Sequence, residues 1–479
     1  MSDFVFSIRR DGSAQLEEYI GSSPAVIIPG DYEGHPVTVL ADNAFSWQSS
    51  IRSVVLPDTI TVIGEAAFSW CESLQEMNLP DSVKTIGEWA FIGCSSLKRI
   101  HLPAGLKKIN YSTFQSCTSL SAVDLPDTVR SIGPEAFSEC RSLKKIILPK
   151  SCKSLGDNAF STCESLCSIT IPLQLTEIGS NVFSGCSSLS EFSVPENHPV
   201  FLQLNGMLLN KMEKRLIFYP YEAQEKNVMI DLDLTVIGEE AFSGRTHIES
   251  IYLPDTVTVI EPKAFYGCRA LKQIRLPNSV SRIGSSSFHN CSSLTRISLP
   301  TSLKSLEYSV FYACSSLEQV DLPEGLKLIS PCAFSGCGNL RSVDLPEGMI
   351  EIGESAFEGC RSLEEVILPA SLESLGSHVF GSCAALESVK LPVKLKAIPA
   401  RAFARCSNLN HVTVPEGVES IQSEAFDNCE NLLSLQLPAS ISEIEPDSFS
   451  ECHHLMLFVY PDSYAMAFAR DYDILYSQV

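Results

Sequence analysis

The chain has 479 residues, 44% of them hydrophobic and 19% charged, which is the composition of an ordinary soluble globular protein. Its 35 Lys and Arg against 57 Asp and Glu give a net charge of −22, which disfavours nucleic acid and anionic membrane surfaces as partners, because both are bound through clustered cations. No apolar run reaches the roughly eighteen residues that a membrane-spanning helix needs, so no membrane insertion is predicted.

Residues 1–40 do not repeat, and we expect them to form an N-terminal β cap. The turn Arg10-Asp11-Gly12 separates FVFSI from AQLEEYI, a pattern typical of a β-hairpin. A second pair of apolar runs, AVIIP and PVTVL, leads into the repeats. A cap is needed because an open first coil would expose its core and its strand edge.

From residue 41 a 23-residue pattern recurs, with GEAAFSWCESLQEMNLPDSVKTI at residues 64–86 as its clearest copy. A phenylalanine marks each unit, and a proline follows it twelve residues later every time. Such a register indicates one supersecondary unit stacked on its own copies. The first run, residues 41–195, has seven such positions: Phe45, Phe68, Phe91, Phe114, Phe137, Phe160 and Phe183.

The positions within one unit predict the path of one coil. In SLKRIHLP the core residues Ile100 and Leu102 alternate with Arg99 and His101, which is the period of a strand with one buried face. Proline then ends the strand. Glycine four residues before Phe, such as Gly87, is predicted to supply positive φ at a corner that leads into a short helical turn carrying Ala-Phe.

Residues 196–231 interrupt the repeat, since Phe183 and Phe242 are 59 residues apart, 36 more than one unit. Two apolar runs in GMLLNKMEKRLIFYP flank a polar segment and predict a β-hairpin insertion. Two interpretations stay open. The favoured one is an irregular coil that keeps the core continuous, and the other is a protrusion that exposes Phe218, Tyr219 and Tyr221.

Residues 232–461 form a second run of ten coils, and residues 462–479 form a predicted C-terminal cap. In the cap, Tyr464 and Phe468 suit a short amphipathic helix, and residues 474–476 suit a last strand. The shared register argues for one elongated body of 17 coils rather than about three domains. The phenylalanines of the second run are Phe242, Phe265, Phe288, Phe311, Phe334, Phe357, Phe380, Phe403, Phe426 and Phe449.

Fifteen of the 18 cysteines lie three residues after a repeat phenylalanine. One cysteine per coil at one position predicts a ladder of reduced, buried thiols, because free cysteine packs as a small hydrophobe and ladder side chains point the same way. Zinc needs closely spaced ligand pairs that this spacing does not give. Of the other three, Cys152 takes a core position, whereas Cys167 and Cys332 are predicted to be more exposed.

The repeat resembles the BspA-like leucine-rich repeats, a bacterial surface-antigen family with units of the form LxxLxLPxxLxxIGxxAFxxCxx. LQEMNLPDSVKTIGEWAFIGC, residues 74–94, shows that form nearly complete. The fold class predicted is therefore α/β: a right-handed leucine-rich-repeat solenoid of 17 coils with a parallel β-sheet face, short helical turns and caps at both ends. The resemblance also implies binding of host proteins and adhesion.

No catalytic constellation is recognisable. HExxH, GxSxG, GxxxxGK[ST] and a GxGxxG after a strand are all absent from the sequence. His453 and His454 beside Cys452 cannot easily face one ion because they are adjacent. We therefore predict no enzyme activity, no catalytic or metal site and no cofactor.

The outward residues eight and ten after Phe vary along an otherwise fixed framework. They are either merely solvated or a display surface for a protein or glycoprotein ligand, and we favour the second reading, with the chain as a monomer. Tyr and Arg are the residues that most often anchor interfaces. The candidate ligand-binding residues are Arg99, His101, Lys145, Tyr252, Arg275, Arg296, Asp321, Asp344, Lys390 and His411.

The compartment has two interpretations. The N-terminus MSDFVFSIRRDGSAQ has no basic head followed by an apolar run, so no secretory signal is predicted and the sequence favours the cytoplasm. The family resemblance instead implies a cell-surface or secreted protein. The function predicted is a non-enzymatic protein-interaction module of the adhesion or surface-antigen type, with an intracellular repeat scaffold as the alternative.

Overall fold

A computed structural model describes residues 3–221 and 223–479. The chain divides into two compact units, Met1–Ala223 and Gln224–Val479. In each unit, strands 23 residues apart pair in parallel, so that successive coils stack. The fold is the leucine-rich-repeat solenoid that the repeat predicts.

The first unit has one long sheet, here called its front sheet, built from Ala25–Ile27 and from the strands that precede the repeat prolines. Eight strands pair side by side in parallel within it. The middle residue of every strand points inward and is only 2% to 6% exposed, because apolar and polar residues alternate with the period of a strand. The strands are Ala25–Ile27, Ser53–Val55, Glu76–Asn78, Arg99–His101, Ala122–Asp124, Lys145–Ile147, Ser168–Thr170 and Glu191–Ser193.

Short strands on a second side of each coil form the back of the first unit. The predicted cap hairpin is confirmed: Phe4–Ile8 pairs antiparallel with Ala14–Tyr19. The second pair of cap runs divides between the two sides, since Ala25–Ile27 joins the front and His35–Leu40 joins the back. The remaining back strands are Val62–Ile63, Thr85–Ile86, Lys108–Ile109, Ser131–Ile132, Ser154–Leu155 and Glu177–Ile178, and Asp31–Tyr32 pairs antiparallel with His35–Leu40.

The interruption of the repeat contains the predicted hairpin and one further strand. Met207–Asn210 pairs antiparallel with Arg215–Phe218, and Phe201–Leu204 pairs antiparallel with Met207–Asn210. Phe218 and Tyr219 are 3% and 5% exposed, and Tyr221 is half-buried. The aromatic residues therefore pack inward, as the interpretation of an irregular coil requires, and do not form an exposed protrusion.

The second unit repeats the arrangement. Its front strands are Asn227–Met229, Ser250–Tyr252, Gln273–Arg275, Arg296–Ser298, Gln319–Asp321, Ser342–Val343, Glu365–Ile367, Ser388–Lys390, His411–Thr413, Ser434–Gln436, Met456–Val459 and Leu475–Gln478. Its back strands are Val236–Ile237, Val259–Ile260, Arg282–Ile283, Ser305–Leu306, Leu328–Ile329, Glu351–Ile352, Ser374–Leu375, Ala397–Ile398, Ser420–Ile421 and Glu443–Ile444. The C-terminal helix Tyr464–Asp471 precedes the last strand, as predicted, and Ser463 caps it by accepting a hydrogen bond from the Met466 amide.

The repeat phenylalanines form a stack of parallel rings through the core of each unit. Neighbouring ring centroids are 5.0 to 6.3 Å apart from Phe45 to Phe183, and 5.1 to 5.8 Å apart from Phe242 to Phe449. Tyr19 of the cap stacks on Phe45 at 5.2 Å. Each ring thus packs on its neighbours in sequence order, which is why stacked coils supply the core that one coil lacks.

The cysteine ladder is confirmed, and the structure gives its hydrogen-bond acceptor. All fifteen ladder thiols donate to the carbonyl oxygen of the phenylalanine one coil earlier, with Sγ–O distances of 3.0 to 3.3 Å. The cysteines of the described chain are all free. Cys152 is buried, Cys167 exposed and Cys332 half-buried, as predicted.

The role predicted for the repeat glycine was wrong. Gly64 and Gly87 do not have positive φ. A Cβ on Gly87 would instead lie 2.5 Å from the Glu65 amide nitrogen and from the Gly64 carbonyl carbon, so glycine is needed because two coils approach closely there. The positive φ angles fall on residues two before and two after Phe, such as Ala66 at 52° and Trp70 at 56°. The segment around Phe is accordingly a run of turns, with very little helix in the described chain.

Candidate binding surface

The three candidates of the first unit lie on its front sheet with their side chains in solvent. Arg99 and His101 flank the buried Ile100 on one strand. Lys145 lies two coils further on, in the same row as Arg99, and Ala122 separates them because it pairs with both. Since coils repeat at about 4.8 Å, Arg99 and Lys145 are about 10 Å apart along the row.

Four candidates of the second unit lie in four successive coils. Tyr252 is the cross-strand partner of Arg275, and Tyr252 is 40% exposed. Arg296 contacts Asp321 in the next coil at 3.1 Å. Arg275 also contacts Asp255, an acidic residue just after a strand proline, at 3.3 Å. An aromatic ring, two guanidinium groups and a carboxylate therefore lie on four successive front strands of the second unit.

The other three candidates of the second unit do not join that group. Asp344 follows the strand Ser342–Val343 and is exposed. Lys390 and His411 lie on neighbouring strands, and Lys390 pairs with Thr413 rather than with His411. His411 lines a shallow depression of about 540 Å³ together with Thr413, Glu416, Phe458 and Tyr460, among others.

Hydrogen bonds and ion pairs neutralise part of the second unit's surface. The Ser298 hydroxyl and then the Arg296 guanidinium lower the pKa of Asp321, because both stabilise its ionised form. Beside the front strands, Glu249 accepts hydrogen bonds from Lys272 at 2.7 Å and from Lys226 at 2.9 Å, and these bonds lower its pKa to about 2. The charged row next to Tyr252 is thus internally paired.

The first unit differs, since its front sheet borders an open groove of about 610 Å³ with unpaired cations. Three of the cations are Lys98, Arg99 and Lys144. Lys98 and Lys144 occupy the position seven after Phe, whereas the predicted binding residues occupy positions eight and ten. An excess of Lys and Arg between residues 98 and 153 was the sequence signal that marks this region.

No cluster of three or more His, Cys, Asp or Glu suited to a metal ion occurs in residues 3–221 and 223–479. His453 contacts Glu451 at 3.1 Å. The described helices include none that is long and apolar enough to cross a membrane.

Parallel strands at 23-residue intervals, a stacked phenylalanine core and a cysteine ladder define a leucine-rich-repeat protein. The chain belongs to the BspA-type leucine-rich repeat family: the family model described as "BspA type Leucine rich repeat region (6 copies)" matches residues 38–133, 107–203, 218–341 and 327–456. The family is related to bacterial surface antigens, and its repeats are a scaffold of the kind that binds proteins. No curated protein sequence matches the chain.

Among solved structures, a leucine rich cell surface protein from Faecalibacterium prausnitzii is 26% identical, with a TM-score of 0.54, and the match covers 86% of this chain and 93% of that one. A leucine-rich repeat protein from Bacteroides ovatus is 24% identical over 100% of this chain and 99% of that one, with a TM-score of 0.44. The pneumococcal vaccine antigen PcpA is 15% identical over 99% of this chain and 95% of that one, with a TM-score of 0.35.

Proposed function

We propose that this chain is a non-enzymatic protein-interaction module that binds a protein or glycoprotein partner through its front strands. The observation that carries the proposal is the contrast within each strand. In every front strand except the last, Leu475–Gln478, an inward apolar residue is buried, whereas the outward residues range over charged, aromatic, polar and aliphatic types. A fixed framework that holds variable outward side chains suits recognition of a specific surface.

The stretch from Tyr252 to Asp321 is the centre of the proposed interface. Tyr252 and Arg275 are cross-strand partners, so a partner can contact both without a change in the backbone. Tyrosine and arginine are over-represented among residues that dominate binding energy. The parallel sheet beneath them is held by inward residues such as Ile251 and Ile274, which keeps the side chains in a fixed arrangement.

The setting that we propose is adhesion at the cell surface, with the chain as a monomer and no nucleic-acid partner. Support comes from the family and from the Faecalibacterium prausnitzii relative, which is described as a cell surface protein. An intracellular scaffold is the second candidate, because ladder thiols that remain free suit a reducing compartment. Fractionation of native cells separates the two: recovery in the surface fraction supports adhesion, and recovery in the cytosol supports the scaffold.

The binding face is tested with the double variant Tyr252→Ala/Arg275→Ala. A partner captured from surface or host proteins is first identified, and its affinity for the purified variants is then measured. We expect the double variant to bind at least about 2 kcal/mol more weakly, since it loses two anchors. The circular dichroism spectrum should not change, because both side chains point outward.

The matched control is Tyr308→Ala/Arg361→Ala, which removes the same two residue types from exposed positions away from the front strands. This control should bind like the wild type. Loss of affinity in the control, with full affinity in Tyr252→Ala/Arg275→Ala, would assign the interface to another side of the coils.

A further inference from the structure

The first unit carries a basic region inside an acidic protein. Residues 98–153 contain ten Lys and Arg but only four Asp and Glu, a local charge of +6 in a chain whose net charge is −22. Clustered charge of one sign attracts ligands of the opposite sign whatever the net charge of the chain is. The local positive charge can therefore attract an anionic ligand to this region although the whole chain is acidic.

Part of this basic region lines the groove beside the front sheet of the first unit. Lys98, Arg99 and Lys144 supply its cations, and Glu76 is its one acidic residue. The remaining lining residues are Gln75, Ser119, Ser121, Ser142 and Ser165. All nine lining side chains are polar, and none is aliphatic or aromatic.

The cations of this groove are not engaged in ion pairs in the part of the chain that the structure describes, although Glu76, the cross-strand partner of Arg99, also lines the groove. Within the described chain, none of Lys98, Arg99 and Lys144 forms an ion pair, whereas Lys272, at the same repeat position in the second unit, contacts Glu249 at 2.7 Å. Ser121 donates a hydrogen bond to the Lys98 carbonyl oxygen at 3.2 Å. The other three seryl hydroxyls of the lining have no hydrogen-bond partner in the residues that the structure describes, so they remain available to a ligand.

We propose that this groove binds a sulfated glycan chain. Lys98, Arg99 and Lys144 would contact sulfate groups, since hydrogen bonds between ionised groups are about twice as strong as neutral ones. The seryl hydroxyls both donate and accept, which matches the hydroxyl groups of a sugar. Patches rich in Lys and Arg occur in proteins that bind heparin or nucleic acid.

The lining distinguishes this ligand from other polyanions. Single-stranded nucleic acid is held largely by stacking of bases on aromatic side chains, and the groove has none. Peptides need apolar anchors in pockets or an open strand edge, and the groove offers neither an apolar side chain nor an unpaired strand. A sulfated glycan needs cations and hydroxyl groups, which are what the lining contains.

The groove also has the dimensions of an oligosaccharide site. Its lining residues come from five successive coils, from Gln75 to Ser165, so it extends about 19 Å along the stack at about 4.8 Å a coil. Lys98 and Lys144 lie two coils apart and are separated by about 10 Å. An extended chain that lies across the coils meets both lysines at once.

The test measures binding of a heparin-derived octasaccharide by calorimetry at low and at physiological salt. We expect Lys98→Ser/Lys144→Ser to bind at least about tenfold more weakly than the wild type, because two charge-assisted contacts are lost. The control Lys272→Ser/Arg341→Ser makes the same change in net charge at the same repeat position in the second unit. It should keep the wild-type affinity.

Two further measurements keep the site and the ligand class falsifiable. Lys107→Ser/Arg130→Ser removes two cations of the same basic region outside the groove, and it should keep most of the affinity. A single-stranded oligonucleotide and a polyglutamate peptide of equal charge should bind more weakly than the octasaccharide. No binding by the wild type at low salt, equal losses in all three double variants, or tighter binding of either competitor would overturn the proposal.

This inference stands apart from the protein partner proposed above. Lys98 and Lys144 are not among the residues of that interface, and Lys98→Ser/Lys144→Ser leaves the second unit unchanged. Loss of octasaccharide binding with intact protein binding supports the glycan site alone. Loss of both functions together would indicate general damage to the fold and would count against the glycan site.

Discussion

At the scale of single residues, the ladder cysteines connect each coil to the one before it. Fourteen of the fifteen thiols are buried and Cys452 is half-buried. Each donates to a phenylalanine carbonyl, and the Phe91 carbonyl that accepts from Cys117 also accepts from the Cys94 amide. Burial opposes the ionised thiolate, so it raises the pKa of Cys117 from an ordinary value of 9.0 to about 12. These thiols are therefore structural and unreactive at neutral pH.

The raised pKa predicts a specific loss of stability in alkali. The contribution of the protonated Cys117 thiol is fully present below pH 9 and falls as the pH rises from 9 to about 12, since only the unfolded chain ionises readily in that window. Between pH 8 and pH 10 the wild type should lose about 1.4 kcal/mol more stability than Cys117→Ala, as measured by urea unfolding. The exposed thiol provides the control: Cys167→Ala should follow the wild type. Equal losses in all three proteins would refute the buried, protonated thiol.

The sequence predicts the burial of these thiols but not their acceptor. A cysteine at one fixed position beside a core phenylalanine already implies a buried side chain. The contact from Cys117 to the Phe91 carbonyl, however, spans 26 residues and depends on how one coil sits on the previous one. The 23-residue spacing does not specify how one coil is positioned on the previous one, so the acceptor could not be predicted from it.

At the scale of elements, the corner before each turn segment depends on close contact between coils. A side chain at Gly87 would overlap the backbone of the previous coil rather than a flexible side chain. Gly87 is therefore needed for space, whereas Asn110 in the next coil and Glu261 in the second unit occupy the same repeat position, and the positive φ angles fall on other residues. The sequence predicts that glycine matters at this position because of positive φ, whereas the structure shows that the reason is the close approach of two coils.

Gly87→Ala should destabilise the first unit by roughly 1–3 kcal/mol or more, because two backbones would have to separate. Gly338→Ala is the matched control, since its Cβ would have nothing within 4 Å and its φ is not positive. The control should be neutral or slightly stabilising. Urea unfolding of both variants measures the difference, and similar stabilities would remove close approach as the reason for glycine.

The elements differ in how far their sequence determines them. Strict alternation around residues such as Ile100 predicts the front strands, because a strand with one buried face has no other pattern. The strand Phe201–Leu204 was not predicted, since it precedes the two clear apolar runs of the insertion. The segment around Phe was predicted as a helical turn, but residues with left-handed φ on both sides of Phe interrupt any helix.

At the scale of the whole molecule, the net charge does not show how charge is distributed over the surface. The net charge of −22 argues against anionic ligands, yet the residues that line the first unit's groove include three unpaired cations. The predicted binding residues lie at the outward strand positions, eight and ten after Phe, whereas Lys98 and Lys144 belong to the neighbouring row, seven after Phe. A count of charge along the sequence finds the excess of cations, but only the fold places them in one groove.

The division into an N-terminal cap, two runs of coils, an insertion and a C-terminal cap stays a prediction. The family and the parallel pairing establish the kind of fold in each unit. Function then depends on one separation of roles: inward residues hold the coils together, and outward residues are free to contact ligands. The proposals for the protein partner and for the glycan both require that separation.

The most direct test of this separation compares two adjacent isoleucines on one front strand. Ile146 points inward and is 2% exposed, whereas Ile147 points outward and is 62% exposed. Ile146→Ala should lower the free energy of unfolding in urea by about 2–5 kcal/mol, because it leaves a cavity in the stacked core. Ile147→Ala makes the same chemical change and should stay within about 0.5 kcal/mol of the wild type. Equal losses, or a larger loss for Ile147→Ala, would contradict a framework held only by its inward residues.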